Sequence, residues 1–158
     1  MKGLCISLVL AAGLAIGTSA AAAPARYPLE VAVNGSPTAA ETAVVRRDLS
    51  SSFGKEWSDF EKNAGRRVQF TVAHADINGD GRPDLLVSLD DPGFGYCGSG
   101  GCAGYAILAT AQGYAPKAIE LAYFFAKAIV LPTVHHGMHD LRYDARKVVF
   151  AWDGTQYR

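Results

Sequence analysis

The loop Asp76–Asp84 carries oxygen-bearing side chains at alternating positions. Counted from its first aspartate, the cation ligands would be Asp76, Asn78, Asp80, the Arg82 backbone carbonyl and Asp84. Gly81 occupies the sixth position, where a calcium loop must turn sharply. Carboxylate, amide and carbonyl oxygens suit a hard cation better than a thiophilic metal. The spacing therefore predicts a calcium site, against the alternative of a solvated turn favoured by Asn-Gly and Asp-Gly.

A second group of candidate ligands is His135, His136 and His139, with Asp140 beside them. Two or three imidazoles at this spacing can bind zinc or copper. The alternative is a polar turn before the next strand, because Pro132 and Gly137 disfavour a regular helix here. The histidine segment thus supports a second hypothesis, a small periplasmic hydrolase or transition-metal-dependent enzyme that uses residues 135–140.

Two cysteines, Cys97 and Cys102, enclose a glycine-rich segment of four residues. In an exported chain such a pair is expected to form a disulfide. A redox pair usually has two intervening residues, and two metal thiolates are the other alternative. The spacing favours a structural disulfide. Phe94, Tyr96 and Tyr105 lie around it, where they either form a contact surface or cover the edge of the sheet.

The N-terminus has the pattern of a cleaved export signal. Lys2 is followed by an almost wholly apolar run from Leu4 to Ile16, and Ala20–Ala23 offers small residues for cleavage. The run is shorter than the roughly 20 residues that span a bilayer, which disfavours a membrane anchor. We therefore expect residues 1–23 to be a signal peptide, no membrane span after its removal, and a periplasmic or secreted protein.

The charge balance argues against a polyanion partner. The chain has 15 basic and 15 acidic residues, whereas nucleic-acid-binding proteins show a basic excess or stripe. No nucleic-acid partner is predicted.

After a lead-in over residues 24–37, Thr38 and Glu41 have the spacing of a helix-capping box. An apolar face follows at helical intervals, made by Val45, Leu49, Phe53, Trp57 and Phe60. Gly54 is expected to kink or split this helix, and Gly65 is a plausible end.

Beyond Gly65 the apolar residues alternate, which is typical of strands. The predicted strands are Val68–His74, Leu85–Leu89, Tyr105–Thr110, Tyr114–Leu121, Ala128–Leu131, Leu141–Tyr143 and Val148–Trp152. We therefore predict an α+β domain over residues 38–158, in which an N-terminal helix, in one or two pieces, packs on a mainly antiparallel sheet.

The acidic loop running into Leu85-Leu86-Val87 resembles the calcium loops of FG-GAP and VCBS-type repeats. The resemblance covers about fifteen residues and implies an architectural calcium ion. The loop occurs once, and Val87 stands where a helix-flanked loop has a bidentate glutamate.

The chain also resembles a group of small uncharacterised exported bacterial proteins. These join such a loop to a Cys-Gly-x-Gly-Gly-Cys-like segment and a Gly-x-x-Asp-Leu segment, here Gly137–Leu141. This resemblance implies no activity. The first functional hypothesis is a non-enzymatic, calcium-stabilised, disulfide-bridged exported domain that serves in binding or in the cell envelope. Its partner would be a protein, a glycan or an inhibited enzyme.

Overall fold

The computed structural model of the protein describes residues 26–124, 127–143 and 147–158. Two helices and antiparallel strands make up this part of the chain, which confirms the α+β prediction. The predicted signal peptide, residues 1–23, lies outside the described residues.

The two helices are α1, Ala39–Phe53, and α2, Lys55–Ala64. Thr38 and Glu41 form the predicted capping box at the start of α1. The Glu41 backbone N–H donates to Thr38 Oγ1 at 3.2 Å, and the Thr38 N–H donates to Glu41 Oε2 at 2.7 Å. Gly54 separates the helices with a φ of +55°, a value that glycine adopts without a steric penalty. The helical segment is therefore in two pieces.

Among the described residues there are ten strands, one before the helices and nine after them. They are β1 Leu29–Ala32, β2 Thr71–Ala75, β3 Asp84–Leu89, β4 Cys97–Gly98, β5 Gly101–Ile107, β6 Ala109–Thr110, β7 Gly113–Tyr114, β8 Ile119–Phe124, β9 Lys127–His135 and β10 Met138–Tyr143. In the central sheet β3 lies between β2 and β5, and β5 also pairs with β4 and β8. In the second sheet β9 lies between β1 and β10. Strands β6 and β7 form a short separate ribbon.

Some sequence-based boundaries differ from the structure. The segment 24–37, predicted to be a lead-in outside the domain, contributes β1, whose residues pair with β9. The strand predicted over Tyr114–Leu121 is divided between β7 and β8. The strand predicted over Val148–Trp152 is reduced to isolated bridges at Phe150 and Trp152. Both bridges join residues close in the chain, Phe150 to Leu141 and Trp152 to Tyr157, so an alternating pattern does not by itself set the length of a strand.

The central sheet separates two apolar cores. On one face, Leu85 and Val87 of β3 pack in a cluster with Trp57 and other helix residues. On the other face, Leu86 packs with Leu141 and other residues of the second sheet. Because successive side chains of a strand point to opposite faces, β3 contributes to both cores. The result is three layers: helices, central sheet and second sheet.

None of the helices in the described ranges is long and apolar enough to cross a membrane.

Candidate functional site

The acidic loop joins β2 to β3 and is curled around the carboxylate of Asp76. Asp76 Oδ1 accepts hydrogen bonds from the backbone N–H groups of Gly79 (2.7 Å) and Asp80 (3.2 Å). Its Oδ2 accepts from the Gly81 N–H at 2.9 Å. Gly79 and Gly81 have φ values of +72° and +81°, a backbone region that favours glycine. The loop backbone is thus organised by the first of the predicted ligands.

Asp84, the last predicted ligand, is fully buried at the start of β3. Its Oδ2 accepts from the Ile77 N–H at 2.9 Å, and its Oδ1 accepts from the Ala109 N–H at 2.7 Å. Burial and the nearby charges of Asp76 and Asp80 raise the pKa of Asp84 to about 6, although the two backbone N–H groups favour the anion. The residue therefore ties the loop to the start of β6 in a region of negative potential.

The middle of the loop is more exposed. Asp80 Oδ2 lies 2.7 Å from Arg82 Nη2 and accepts a hydrogen bond from the Asn78 side-chain amide at 3.2 Å. The Arg82 N–H donates to Asp80 Oδ1 at 2.9 Å. The predicted ligands therefore share one short loop, but their side-chain oxygens accept hydrogen bonds from backbone N–H groups of the loop and of Ala109, and from the Arg82 guanidinium. Across the described ranges, no three His, Cys, Asp or Glu side chains are grouped so as to hold a metal ion.

Residues far away in the chain hold this loop in place. The Tyr27 hydroxyl donates to the Asp76 carbonyl at 2.9 Å, and the Tyr27 ring stacks on His139 with centroids 4.0 Å apart. The His139 N–H donates to the Ile77 carbonyl at 2.7 Å. The His139 imidazole borders Gly79. A Cβ added to this glycine would be 3.8 Å from His139 Nε2, which is an ordinary van der Waals contact. Sequence analysis missed this support, because pairing between segments 49 or more residues apart leaves no local pattern.

The three histidines of the alternative metal site do not share a partner: His135 and His139 bond to different groups, and His136 lies in a turn. His135 Nδ1 lies 2.7 Å from Asp140 Oδ1, and Thr133 Oγ1 donates to the other carboxylate oxygen at 2.5 Å. His139 Nδ1 lies 2.7 Å from the Leu131 carbonyl oxygen. His136 forms the turn between β9 and β10 with a φ of +49°. The structure therefore brings His135 together with Asp140 and places His139 against the acidic loop.

The predicted disulfide is present between Cys97 and Cys102. The two residues are direct cross-strand partners on β4 and β5. The bridge closes the hairpin that follows Tyr96, so it restricts the segment that carries this aromatic side chain.

A cleft of about 830 Å³ lies beside this hairpin. Aromatic side chains from separate segments line it, namely Phe53, Tyr96, Tyr105, Tyr123 and Trp152. Phe94, which the sequence grouped with Tyr96 and Tyr105, is instead buried in the helix-side core. The cleft therefore includes two of the three aromatic residues singled out from the sequence. Tyr123 and Trp152 were not recognised, because only the tertiary fold brings them to the disulfide hairpin.

The tyrosine hydroxyls of the cleft lie within electrostatic reach of one another. The Tyr96 hydroxyl donates to Glu56 Oε2 at 2.7 Å, and burial together with this carboxylate raises the pKa of Tyr96 to about 12. Burial, Glu120, Tyr123 and Tyr96 raise the pKa of Tyr105. Glu120 is the cross-strand partner of Tyr105. Tyr96 and Tyr105 are thus neutral at physiological pH, and the Tyr96 hydroxyl already donates its hydrogen to Glu56.

Comparison with known proteins gives no relative: no protein-family model, no curated protein and no solved structure matches the chain. The likeness to FG-GAP and VCBS loops therefore remains a prediction from the motif.

Proposed function

We propose that this protein is an exported, non-enzymatic binding domain whose loop Asp76–Asp84 binds calcium as a structural ion. The observation that carries the proposal is the curl of the loop around Asp76, which accepts three backbone N–H groups from the loop. The disulfide between Cys97 and Cys102 supports export, because such bridges persist in oxidising compartments.

The donor chemistry of the loop fits calcium. Asp76, Asn78, Asp80, the Arg82 carbonyl and Asp84 offer only oxygen. Each carboxylate oxygen has more than one lone pair, so Asp76 and Asp84 can keep their N–H bonds and still face a cation. Asp80 would have to exchange the Arg82 guanidinium for the ion.

Calcium would act on stability, because an ion that binds only the folded loop shifts the equilibrium away from the unfolded chain. At a concentration 100 times the dissociation constant, the gain is about 2.7 kcal/mol. Extracellular calcium modules commonly have dissociation constants of about 0.1–1 mM. We therefore expect millimolar calcium to raise the melting temperature and a chelator to lower it.

The test compares the calcium dependence of the melting temperature and the heat of calcium binding in three variants of the chain from residue 24. Asp80→Ala should abolish both. Arg82→Ala keeps the backbone carbonyl but removes the competing guanidinium, so calcium should bind up to about fivefold tighter. Arg67→Ala, which removes an exposed arginine outside the loop, is the matched control. Absence of binding heat at millimolar calcium would exclude the ion from this protein.

The second candidate is the hydrolase or metal-dependent enzyme, and the His135–Asp140 contact favours it. A carboxylate bonded to Nδ1 orients the imidazole so that Nε2 can act as a general base, and the His135 side chain is 55% exposed. The Thr133 hydroxyl donates a hydrogen bond to the Asp140 carboxylate and not to the His135 imidazole. Transition metal in the purified protein that disappears in a His135→Ala, His139→Ala double variant would favour this candidate.

A further inference from the structure

We propose that the cleft beside the disulfide hairpin binds a neutral carbohydrate chain. The inference rests on the proposed role as a binding domain and names the ligand class, but it does not depend on calcium. The cleft is formed by Tyr96, Tyr105 and Tyr123 together with Phe53 and Trp152, and it has polar side chains beside these rings.

The shape of the cleft is that of a ligand site. Its volume of about 830 Å³ falls in the range of roughly 300–1,000 Å³ that is common for such sites. The rings are held by contacts with one another, since the Phe53 centroid lies 4.6 Å from that of Tyr96 and 6.2 Å from that of Tyr105. Trp152 is in contact with Tyr157, with centroids 5.3 Å apart. Four of the five rings, those of Phe53, Tyr96, Tyr105 and Trp152, are thus held by ring contacts in the absence of a ligand.

Tyr123 is unusual because it is a large hydrophobic side chain that is 43% exposed. Its ring borders the cleft and is available for contact with a ligand. Tyrosine gives a large contact area with few rotatable bonds, so little conformational entropy is lost when it is covered. A ligand with an apolar face would bury it.

Polar side chains in the cleft disfavour several other ligand classes. Lys117 and Glu120 contribute one charge of each sign, and Gln156 adds an amide. The balanced charges do not favour an anion, and the equal numbers of basic and acidic residues in the chain disfavour nucleic acid. A wholly apolar ligand would remove water from these polar groups without replacing their hydrogen bonds, which costs free energy. The cleft therefore suits a neutral ligand with both apolar and hydrogen-bonding parts.

A pyranose ring has this combination. Its C–H groups form an apolar face that can pack on the electron-rich face of an aromatic ring. Its hydroxyls at the ring edge can donate to Glu120 and accept from Lys117 or a phenol. Several aromatic rings in one cleft would hold successive sugar units of a chain.

The experiment titrates the chain from residue 24 with cellohexaose, xylohexaose and chitohexaose. Binding is followed by calorimetry and tryptophan fluorescence, in calcium and in chelator. We expect saturable binding of at least one sugar, with a change in Trp152 emission.

The variants test which side chains hold the sugar. Tyr123→Ala and Trp152→Ala should each weaken sugar binding by at least about tenfold. Tyr123→Phe keeps the ring and should retain most of the affinity. Val134→Ala, at an exposed residue of β9 that does not line the cleft, should leave affinity unchanged.

Three results would overturn the inference: no binding of these sugars by a folded chain, binding that both alanine variants leave intact, or saturation of the cleft by unrelated extended peptides instead. Because Tyr123 is exposed, its variant should fold even if Trp152→Ala does not. Sugar binding without a calcium effect on melting would reject the loop proposal alone. A calcium effect without sugar binding would reject the cleft proposal alone.

Discussion

At the scale of single residues, two aspartates of the acidic loop have different structural roles. Asp76 organises the loop by accepting N–H groups from within it. Asp84 is buried and accepts an N–H from Ala109, 25 residues further along the chain. The spacing in the sequence predicts both as cation ligands, but it could not show that Asp84 fixes β6. That second role depends on tertiary packing.

Glu61 gives a residue-scale prediction about acid stability. Its carboxylate accepts two hydrogen bonds from Arg46, at 2.6 and 2.8 Å, and one from the Val68 N–H at 3.0 Å. The Arg46 hydrogen bond is the main cause that lowers the pKa of Glu61 to about 2 from an ordinary 4.5. The contribution to stability is therefore complete above pH 4.5 and is lost as the pH falls toward 2.

Glu61→Gln should lower the free energy of unfolding at pH 7 by about 1–2 kcal/mol and reduce its decline between pH 4.5 and 2. Urea unfolding at a series of pH values measures both effects. Asp59→Asn removes a carboxylate from an exposed pair on the same helix and should cost well under ~1 kcal/mol at pH 7. An unchanged acid slope in Glu61→Gln would show that this ion pair does not contribute to the pH dependence.

At the scale of elements, the start of α1 is determined by local chemistry. Thr38 accepts the Glu41 N–H, which would otherwise lack a partner in the first turn. Thr38→Ala should therefore destabilise the protein by about 1 kcal/mol, measured by urea unfolding. Ser51→Ala, at an exposed position of the same helix, should be neutral or slightly stabilising because alanine favours helix. Equal stability of the two variants would indicate that the capping box is unimportant here.

The difference between local and long-range contacts explains which elements could be predicted from the sequence. The capping box, the division at Gly54 and the Cys97–Cys102 disulfide depend on residues close in sequence, and all were recognised. Strand β1 was missed because its four residues are defined by pairing with β9, about a hundred positions away. Likewise, the acidic loop was visible as spacing, whereas its contacts with Tyr27 and His139 were not. The cleft depends on five segments and was anticipated only through Tyr96 and Tyr105.

At the scale of the whole molecule, β3 couples the three layers. Leu85 belongs to the core against the helices, and Leu86 belongs to the core against the second sheet. Both are fully buried. Loss of order in either core therefore removes contacts from the same strand. The acidic loop leads directly into this strand at Asp84, so a cation bound there would stabilise both cores together.

This coupling predicts one cooperative unfolding transition. Leu85→Ala and Leu86→Ala should each cost about 2–5 kcal/mol, because each leaves a cavity in a packed core. In a Trp152→Phe background, Trp57 fluorescence reports the helix-side core, while far-UV circular dichroism reports the whole chain. Both probes should show the same shifted midpoint in either variant. Val134→Ala at an exposed site should shift neither. If Leu86→Ala moved the dichroism transition but not that of Trp57, the two cores would unfold independently, and β3 would not couple them.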